Sequence, residues 1–166
     1  DFYRFDDDRV GVVLADVVGH GIPAAMWTFA IREHLRQISG AASGEDPVEP
    51  ARVLESLNEI LLKNQKSEIP VSVCYGVIDL KEGTFTYASA GVDYPMLFKA
   101  ADRQVFDLPA GGLFLGCIPN IRFSQETVSL DKGDILMLYT DGLESAADPA
   151  WKENALRVFG AGGEMS

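Results

Sequence analysis

Two aspartates, each placed after an apolar run and followed by glycine, constrain this chain more than any other feature. Asp16 follows the run Val10–Ala15, and Asp141 follows the run Ile135–Tyr139 about 125 residues further along. Each run has the length of a buried strand and is closed by a glycine turn. A carboxylate at such a strand end leaves room for a hard divalent cation, and Mg²⁺ and Mn²⁺ prefer oxygen ligands. If the fold brings the two strand ends together, the pattern predicts a site for metal-assisted hydrolysis there.

The composition predicts one globular domain that binds neither nucleic acid nor membrane. Of the 166 residues, 47% are apolar, which is enough for a hydrophobic core. No segment has the roughly 18 uninterrupted apolar residues of a spanning helix, and no basic-then-apolar leader opens the chain. The chain starts at Asp1 without methionine, so we expect its true beginning to be missing. A net charge of -11 argues against nucleic acid, which requires basic patches.

The two cysteines, Cys74 and Cys117, both lie in apolar surroundings and outside any metal-binding spacing. Such residues are usually buried, reduced thiols in a cytoplasmic protein rather than disulfide partners or nucleophiles. The sequence therefore predicts a cytoplasmic protein whose chemistry does not use cysteine.

The hydrophobic periodicity changes from helical to stranded along the chain. Helices are predicted at Ile22–Ser39, with Pro23 in the first turn, and at about Ala51–Asn64, separated by a polar loop at Gly40–Pro50. The first helix is expected to have one broad apolar face: Ile22, Met26, Ala30, Trp27, Ile31, Leu35 and Ile38. Later strands are predicted at Val71–Leu80, Thr84–Ala90, Met96–Lys99, Gln104–Leu108, Ile121–Leu130 and Asp134–Thr140, with weak helical content at Trp151–Val158. Segregated helices and strands indicate an α+β fold with helices packed on antiparallel sheet.

Four segments match, in order, the motifs of one enzyme family. Asp1–Tyr3 is similar to the end of G-G-D-[FY]-[FY], and Ala15–Ala25 to G-D-V-x-G-H-G-x-x-A-A. Tyr87–Gly91 is similar to Y-x-N-A-G-H, and Lys132–Glu144 to G-D-x-[LI]-x-x-Y-T-D-G-[VL]-x-E. Over nearly its whole length the chain thus resembles the SpoIIE/RsbU-like branch of the protein phosphatase 2C-like (PPM) metal-dependent serine/threonine phosphatases.

The resemblance implies a single domain, residues 1–166, truncated at both ends and folded as an α/β/β/α sandwich of two antiparallel sheets flanked by helices. It implies two Mg²⁺ or Mn²⁺ ions bridged by Asp16, with the Val17 carbonyl as a further ligand and Asp141 bound to one ion. Asp1 matches an acidic position near the metals that supports catalysis. A water between two cations becomes a nucleophile near neutral pH and can attack phosphoserine or phosphothreonine.

The resemblance also implies a partner. The expected substrate is a phosphorylated anti-anti-sigma (STAS-type) protein in bacterial partner-switching signalling. The domain would be the output module of a larger sensor or response regulator, and a homodimer is possible.

Two departures from the family pattern keep an alternative open. No D-D-[IM]-T motif occurs between Asp141 and Ser166, and Val92 replaces the histidine of A-G-H. Either the chain is truncated or partly disordered, which its start inside a motif favours, or the site is incomplete. The alternative is a regulatory binding module on the same fold with weak or no catalysis. A more distant one is an acidic domain whose two Asp-Gly strand ends never meet.

Two further polar residues, His20 and Glu144, have a structural and a functional interpretation, and a third, Asp134, has a structural one. His20, between two glycines, either orders its turn through a hydrogen bond or positions a phosphate or water. Glu144 either caps a helix or turn after the turn at Asp141 or supports the metal ligands. Asp134 is expected to shape the hairpin before its strand.

Overall fold

A computed structural model describes residues 1–41, 49–64, 70–92, 94–109, 111–146, 151 and 154. The helices in this part of the chain are α1 (Ile22–Ala41), α2 (Pro50–Asn64) and α3 (Asp141–Ala146). The strands are β1 (Phe2–Arg4), β2 (Arg9–Val17), β3 (Val71–Asp79), β4 (Thr84–Ala90), β5 (Met96–Lys99), β6 (Gln104–Asp107), β7 (Glu126–Ser129) and β8 (Ile135–Met137). None of the described helices has the length and apolar character needed to cross a membrane.

The chain forms two compact units, each with its own antiparallel sheet. The first unit comprises Asp1–Val92 and Ala110–Ser129, and its sheet has the order β1-β2-β3-β4-β7. The second comprises Asp93–Pro109 and Leu130–Ser166, and its sheet has the order β6-β5-β8. The predicted fold class, α+β with two antiparallel sheets and accompanying helices, is confirmed. That the two units are one truncated domain stays a prediction.

One face of the first sheet, here called the helix-side face, packs against α1 and α2. Val13 and Val17 of β2 pair with Tyr75 and Val71 of β3, and all four side chains belong to the core on this face. The helices contribute Ile31, Leu35, Val53, Leu54, Leu57 and Leu61 to the same core. Because side chains alternate along a strand, Val12, Leu14 and Asp16 lie on the opposite face.

Helix α1 begins as predicted but does not have one apolar face. Gly21 accepts the first helical hydrogen bond from the amide of Ala25 at 3.1 Å, and Pro23 occupies the first turn. Ile31 and Leu35 are buried, whereas Ile22 and Met26 are 77% and 67% exposed. At 100° per residue these two pairs lie on opposite sides of the helix. The sequence prediction was wrong here because it merged two apolar stripes, of which only one packs on the sheet.

The predicted strand Ile121–Leu130 is also wrong in extent. Of this segment, only Glu126–Ser129, which is β7, pairs with a neighbouring strand. Phe123 is buried in the core, while Arg122 pairs with Glu55 of α2 through a 2.7 Å contact. The alternation of apolar and polar residues thus reflects packing along α2 rather than strand pairing.

Other boundaries differ from the sequence prediction by smaller amounts. The three-residue strand β1 has no sequence signal of its own, and β8 is shorter than the predicted strand. Within the predicted loop Gly40–Pro50, Gly40 and Pro50 belong to helices, and residues 42–48 lie outside the described residues. The helix predicted at Trp151–Val158 lies outside them as well, except for Trp151 and Asn154.

Candidate metal site

Asp16 is the second-last residue of β2, directly before the glycine-containing turn that leads to α1. The amide of Val18 donates the last cross-strand hydrogen bond, 3.2 Å long, to the carbonyl of Pro70. Gly19 and Gly21 then have φ values of 115° and 76°, which side-chain-bearing residues rarely adopt, and a Cβ at either position would contact nothing within 4 Å. The Asp16 side chain is exposed. Its carboxylate is therefore open to an ion or a phosphate, although the exposed side chains of Val18 and His20 flank Gly19 in the same turn.

Asp1 continues the β1–β2 ladder by one residue. Its amino group donates to the carbonyl of Val13, its carbonyl accepts from the amide of Val13, and both distances are 3.0 Å. Asp1 thus lies directly opposite Val13 and points to the helix-side face, where its carboxylate pairs with Arg32 of α1 at 3.0 Å. Asp16, three residues after Val13, lies on the opposite face. The structure therefore does not bring Asp1 and Asp16 to the same side of the sheet.

Asp141 belongs to the second unit and opens a helix rather than ending a strand. Three residues separate β8 from α3, whose first residue is the exposed Asp141. Tyr139, just before it, is buried and packs edge-on against Trp151 at a centroid distance of 4.9 Å. The predicted strand end is corrected to a helix start, because the tyrosine is anchored by a ring contact and not by a ladder. That Asp141 shares a site with Asp16 stays a prediction.

The oxygen donors at the β2 turn suit a hard divalent cation. The turn offers the exposed Asp16 carboxylate and the backbone carbonyl of Val17. Within the residues that the structure describes, no three Asp, Glu, His or Cys side chains converge as a complete cage. Mg²⁺ normally keeps several waters and uses only one or two carboxylates, so such an open donor set fits it.

Cys74 contributes no metal donor or nucleophile comparable to the oxygen donors of the β2 turn. Burial raises the pKa of Cys74 to about 11, although a hydrogen bond with Ser89 opposes the increase. At neutral pH this thiol is therefore protonated and unreactive. Cys117 is free but only partly buried, so the expectation of two fully buried thiols is corrected for this residue.

Asp134 has the structural role that the sequence predicts. Its carboxylate is 3% exposed and accepts from Lys99 Nζ at 2.6 Å and from the amides of Ala100 and Asp131 at 2.9 Å each. Burial alone would raise its pKa, but these three donors outweigh it and lower the pKa below the ordinary value. Asp134 thus closes the turn before β8.

The two interpretations of His20 and Glu144 stay open. His20 is exposed between its two glycines. The side chain of Glu144 lies outside the described part of the chain.

Two polar residues with structural roles were not predicted from the sequence. Asn58 of α2 is 1% exposed, donates to the carbonyl of Ile118 and accepts from the amide of Gly116, both at 2.9 Å. Its position within the apolar stripe of α2 is a usable signal, because a buried amide requires partners. Arg32 has no such signal, since its partner Asp1 is distant in sequence.

Comparison with known proteins gives a match over almost the whole chain. The family model described as Stage II sporulation protein E (SpoIIE) matches residues 6–164. Phosphoserine phosphatase RsbU of Bacillus subtilis is 31% identical over 145 residues, which cover 86% of this chain and 42% of RsbU. The chain therefore spans less than half the length of this relative.

Solved structures share the same fold. The RsbU and RsbW domains of Rv1364c from Mycobacterium tuberculosis superpose with a TM-score of 0.78 at 29% identity, covering 97% of this chain and 45% of that one. The phosphatase domain of SpoIIE from Bacillus subtilis, described as PP2C, gives a TM-score of 0.75 at 19% identity, with coverages of 93% and 44%. RsbX in complex with magnesium gives 0.66 at 21% identity, with coverages of 96% and 78%.

Proposed function

This chain belongs to the SpoIIE family, and we propose on that premise that it is a metal-dependent protein serine/threonine phosphatase. The family model over residues 6–164 confirms the resemblance inferred from the four motifs. The observation that carries the proposal is the exposed Asp16 carboxylate beside a turn with two positive-φ glycines, in a chain 31% identical to a named phosphoserine phosphatase.

In the proposed site, the Asp16 carboxylate, the Val17 carbonyl and the Asp141 carboxylate would hold two Mg²⁺ or Mn²⁺ ions. When bound, the ions would lower the proton affinity of a water and offset charge on the phosphoryl oxygens. Asp16 holds its carboxylate in solvent at a rigid strand end, and Gly19 and Gly21 let a phosphate approach the backbone. The proposed mechanism uses no covalent nucleophile from the protein, in agreement with the protonated Cys74 thiol.

The proposed substrate is a phosphoserine or phosphothreonine on a regulatory protein of the anti-anti-sigma (STAS) type. Support comes from the name of RsbU as a phosphoserine phosphatase and from the Rv1364c structure, in which an RsbU and an RsbW domain occur together. We further propose that the chain works in the cytoplasm as the output module of a longer sensor or response regulator.

Phosphate release from a phosphoserine-bearing STAS protein, measured with and without Mn²⁺, tests this function. We expect turnover that requires the metal and falls at least 100-fold in Asp16→Asn. Asp8→Asn removes an equivalent exposed carboxylate at the far end of the β1–β2 hairpin and should keep wild-type turnover. Turnover by Asp16→Asn equal to that of wild type would exclude the proposed site.

A regulatory binding module with weak or no catalysis is the second candidate. Besides Val92, its support is the exposed apolar stripe of Ile22, Met26 and Phe29 on α1, because large exposed apolar patches mark interaction sites. A groove of about 410 Å³ lies beside this stripe, lined by Pro23, Met26, Trp27, Ala30 and Ile60. A binding module would hold its phosphoprotein equally well with and without Mn²⁺ and release no phosphate, which the same assay combined with a pull-down decides.

A further inference from the structure

Ser72 of β3 lies directly opposite Asp16 of β2, on the same face of the first sheet. The two residues are partners in the antiparallel register, so their Cβ atoms are about 5 Å apart. The Ser72 hydroxyl donates a 3.4 Å hydrogen bond to the carbonyl of Asp16. The ladder therefore places this hydroxyl beside the carboxylate that is the candidate metal ligand.

The strand fixes the position of the Ser72 hydroxyl. Val71 and Val73, on either side of it in sequence, are fully buried in the core on the helix-side face. The amide and the carbonyl of Val71 also form hydrogen bonds with Leu115, 3.2 and 2.9 Å long. Because these contacts hold the strand, the partly buried Ser72 side chain stays on the face of Asp16.

The chemistry of a hydroxyl determines what Ser72 offers at this position. A serine hydroxyl has one hydrogen to donate and two lone pairs that accept. Its hydrogen is directed to the Asp16 carbonyl, so its oxygen is left as an acceptor. Mg²⁺ keeps several waters when it binds a protein, and these waters are hydrogen-bond donors because the ion takes up their lone pairs. An acceptor beside Asp16 therefore suits a hydrated ion.

We propose that Ser72 is a positioning residue of the metal site, whose hydroxyl oxygen accepts a hydrogen bond from a water that the ion retains. The proposal rests on the proposed function, because it takes Asp16 as a metal ligand. Groups that orient metal ligands indirectly contribute roughly ten- to hundredfold to metal affinity. We expect the lower end, about tenfold, because Ser72 is only partly buried and its own hydrogen bond is long.

The variants Ser72→Val and Ser72→Thr isolate the hydroxyl, because valine and threonine have nearly the same shape and both suit a strand. In calorimetric titration, Ser72→Thr should bind Mn²⁺ like wild type, and Ser72→Val should bind it about tenfold more weakly. Without metal, the thermal midpoints of both variants should lie within a few degrees of the wild-type value. A loss of affinity without a loss of stability is not expected of a residue that only supports the strand.

Thr86→Val is the matched control. It removes a hydroxyl from the same sheet, where Thr86 Oγ1 lies 2.9 Å from Thr127 Oγ1 of β7, and should leave Mn²⁺ affinity unchanged. If Ser72→Val is less stable than Ser72→Thr, Ser72→Ala takes its place with the same expected loss. Equal Mn²⁺ affinity of the threonine variant and the variant without a hydroxyl would overturn the proposal, as would an equally large loss in Thr86→Val.

The failure of this inference and that of the proposed function give different results. If wild type binds Mn²⁺ and releases phosphate, Asp16→Asn does neither, and Ser72→Val matches Ser72→Thr, only the role of Ser72 is refuted. If wild type binds no Mn²⁺, both are refuted.

Discussion

Asp16 combines exposure with a fixed backbone, the two properties that a metal ligand requires. The ladder to Ser72 and Val71 of β3 holds its main chain, and the Ser72 hydroxyl donates to its carbonyl at 3.4 Å. The side chain is left in solvent beside two glycines with positive φ. The main chain of a ligand held this way loses little conformational freedom on binding, so that only the side chain has to be ordered by a small hard ion.

Thiol labelling tests the passive role of cysteine. With a pKa of about 11, Cys74 is almost entirely protonated at pH 8 and is also buried, whereas Cys117 is partly exposed. We expect one fast-reacting thiol in the native protein and none in Cys117→Ser, with both reacting after denaturation. Loss of phosphatase activity on labelling Cys117→Ser under native conditions would contradict a mechanism without cysteine.

The strand end at Asp16 and the turn after it could be predicted from the sequence, because the apolar run, the carboxylate and the glycines follow one another directly along the chain. The pair formed by Asp1 and Arg32 could not be predicted, since it depends on how α1 crosses the β1–β2 hairpin. For Asp141 the motif identified the residue but not its setting, because Tyr139 and Trp151 pack where a ladder was expected.

At the scale of elements, helix α2 organises the chain that follows β6. The amide of Ala51 donates to the side chain of Gln125, and Glu55 pairs with Arg122. Asn58 bonds to the backbone of Gly116 and Ile118. These contacts explain why residues 121–125 follow the helix instead of pairing as a strand. Periodicity alone could not separate the two outcomes, since both bury alternate residues.

Asn58→Ala tests this organisation. The substitution leaves the Gly116 amide and the Ile118 carbonyl without their partner, so unfolding free energy should fall by about 2–4 kcal/mol. Lys63→Ala, at an exposed position of the same helix, should change it by less than about 0.5 kcal/mol. Urea unfolding measures both, and equal stability of Asn58→Ala and wild type would show that the contacts are not structural.

Asp134 should make the turn before β8 sensitive to acid. Its pKa is lowered in the folded protein, so its contribution is fully present above the unfolded value near 3.9 and is lost as pH falls through the lower folded value. Asp134→Asn should therefore cost about 1–3 kcal/mol at pH 7, and this difference should shrink below pH 4. Asp107→Asn, exposed on β6, serves as the control in urea unfolding across that range. If the unfolding free energies of Asp134→Asn and wild type differ by the same amount at every pH, the negative charge assigned to Asp134 is contradicted.

For the molecule as a whole, metal binding should increase the stability of the folded state. An ion that binds only the folded state stabilises it by about 2.7 kcal/mol at 100 times its dissociation constant. Saturating Mn²⁺ should therefore raise the thermal midpoint of wild type by several degrees and leave that of Asp16→Asn unchanged. An equal rise in both proteins would indicate a metal site elsewhere.

The fold class and the order of most elements were predictable from the sequence, because α1, α2 and most strands have their own periodicity, whereas the six-residue helix α3 was not predicted. The pairing order β1-β2-β3-β4-β7 was not, since the short strands β1 and β7 are defined only by their neighbours. The family motifs supplied the site residues that pattern alone could not connect across about 125 residues.

The most direct test of the central claim is calorimetric titration of Mn²⁺ into wild type, Asp16→Asn, Asp141→Asn and Asp8→Asn. If Asp16 and Asp141 bind one metal centre, each of the first two substitutions should weaken binding at least tenfold, and Asp8→Asn should match wild type. Wild-type Mn²⁺ affinity in Asp141→Asn would show that the two motifs do not share a centre and would contradict the account.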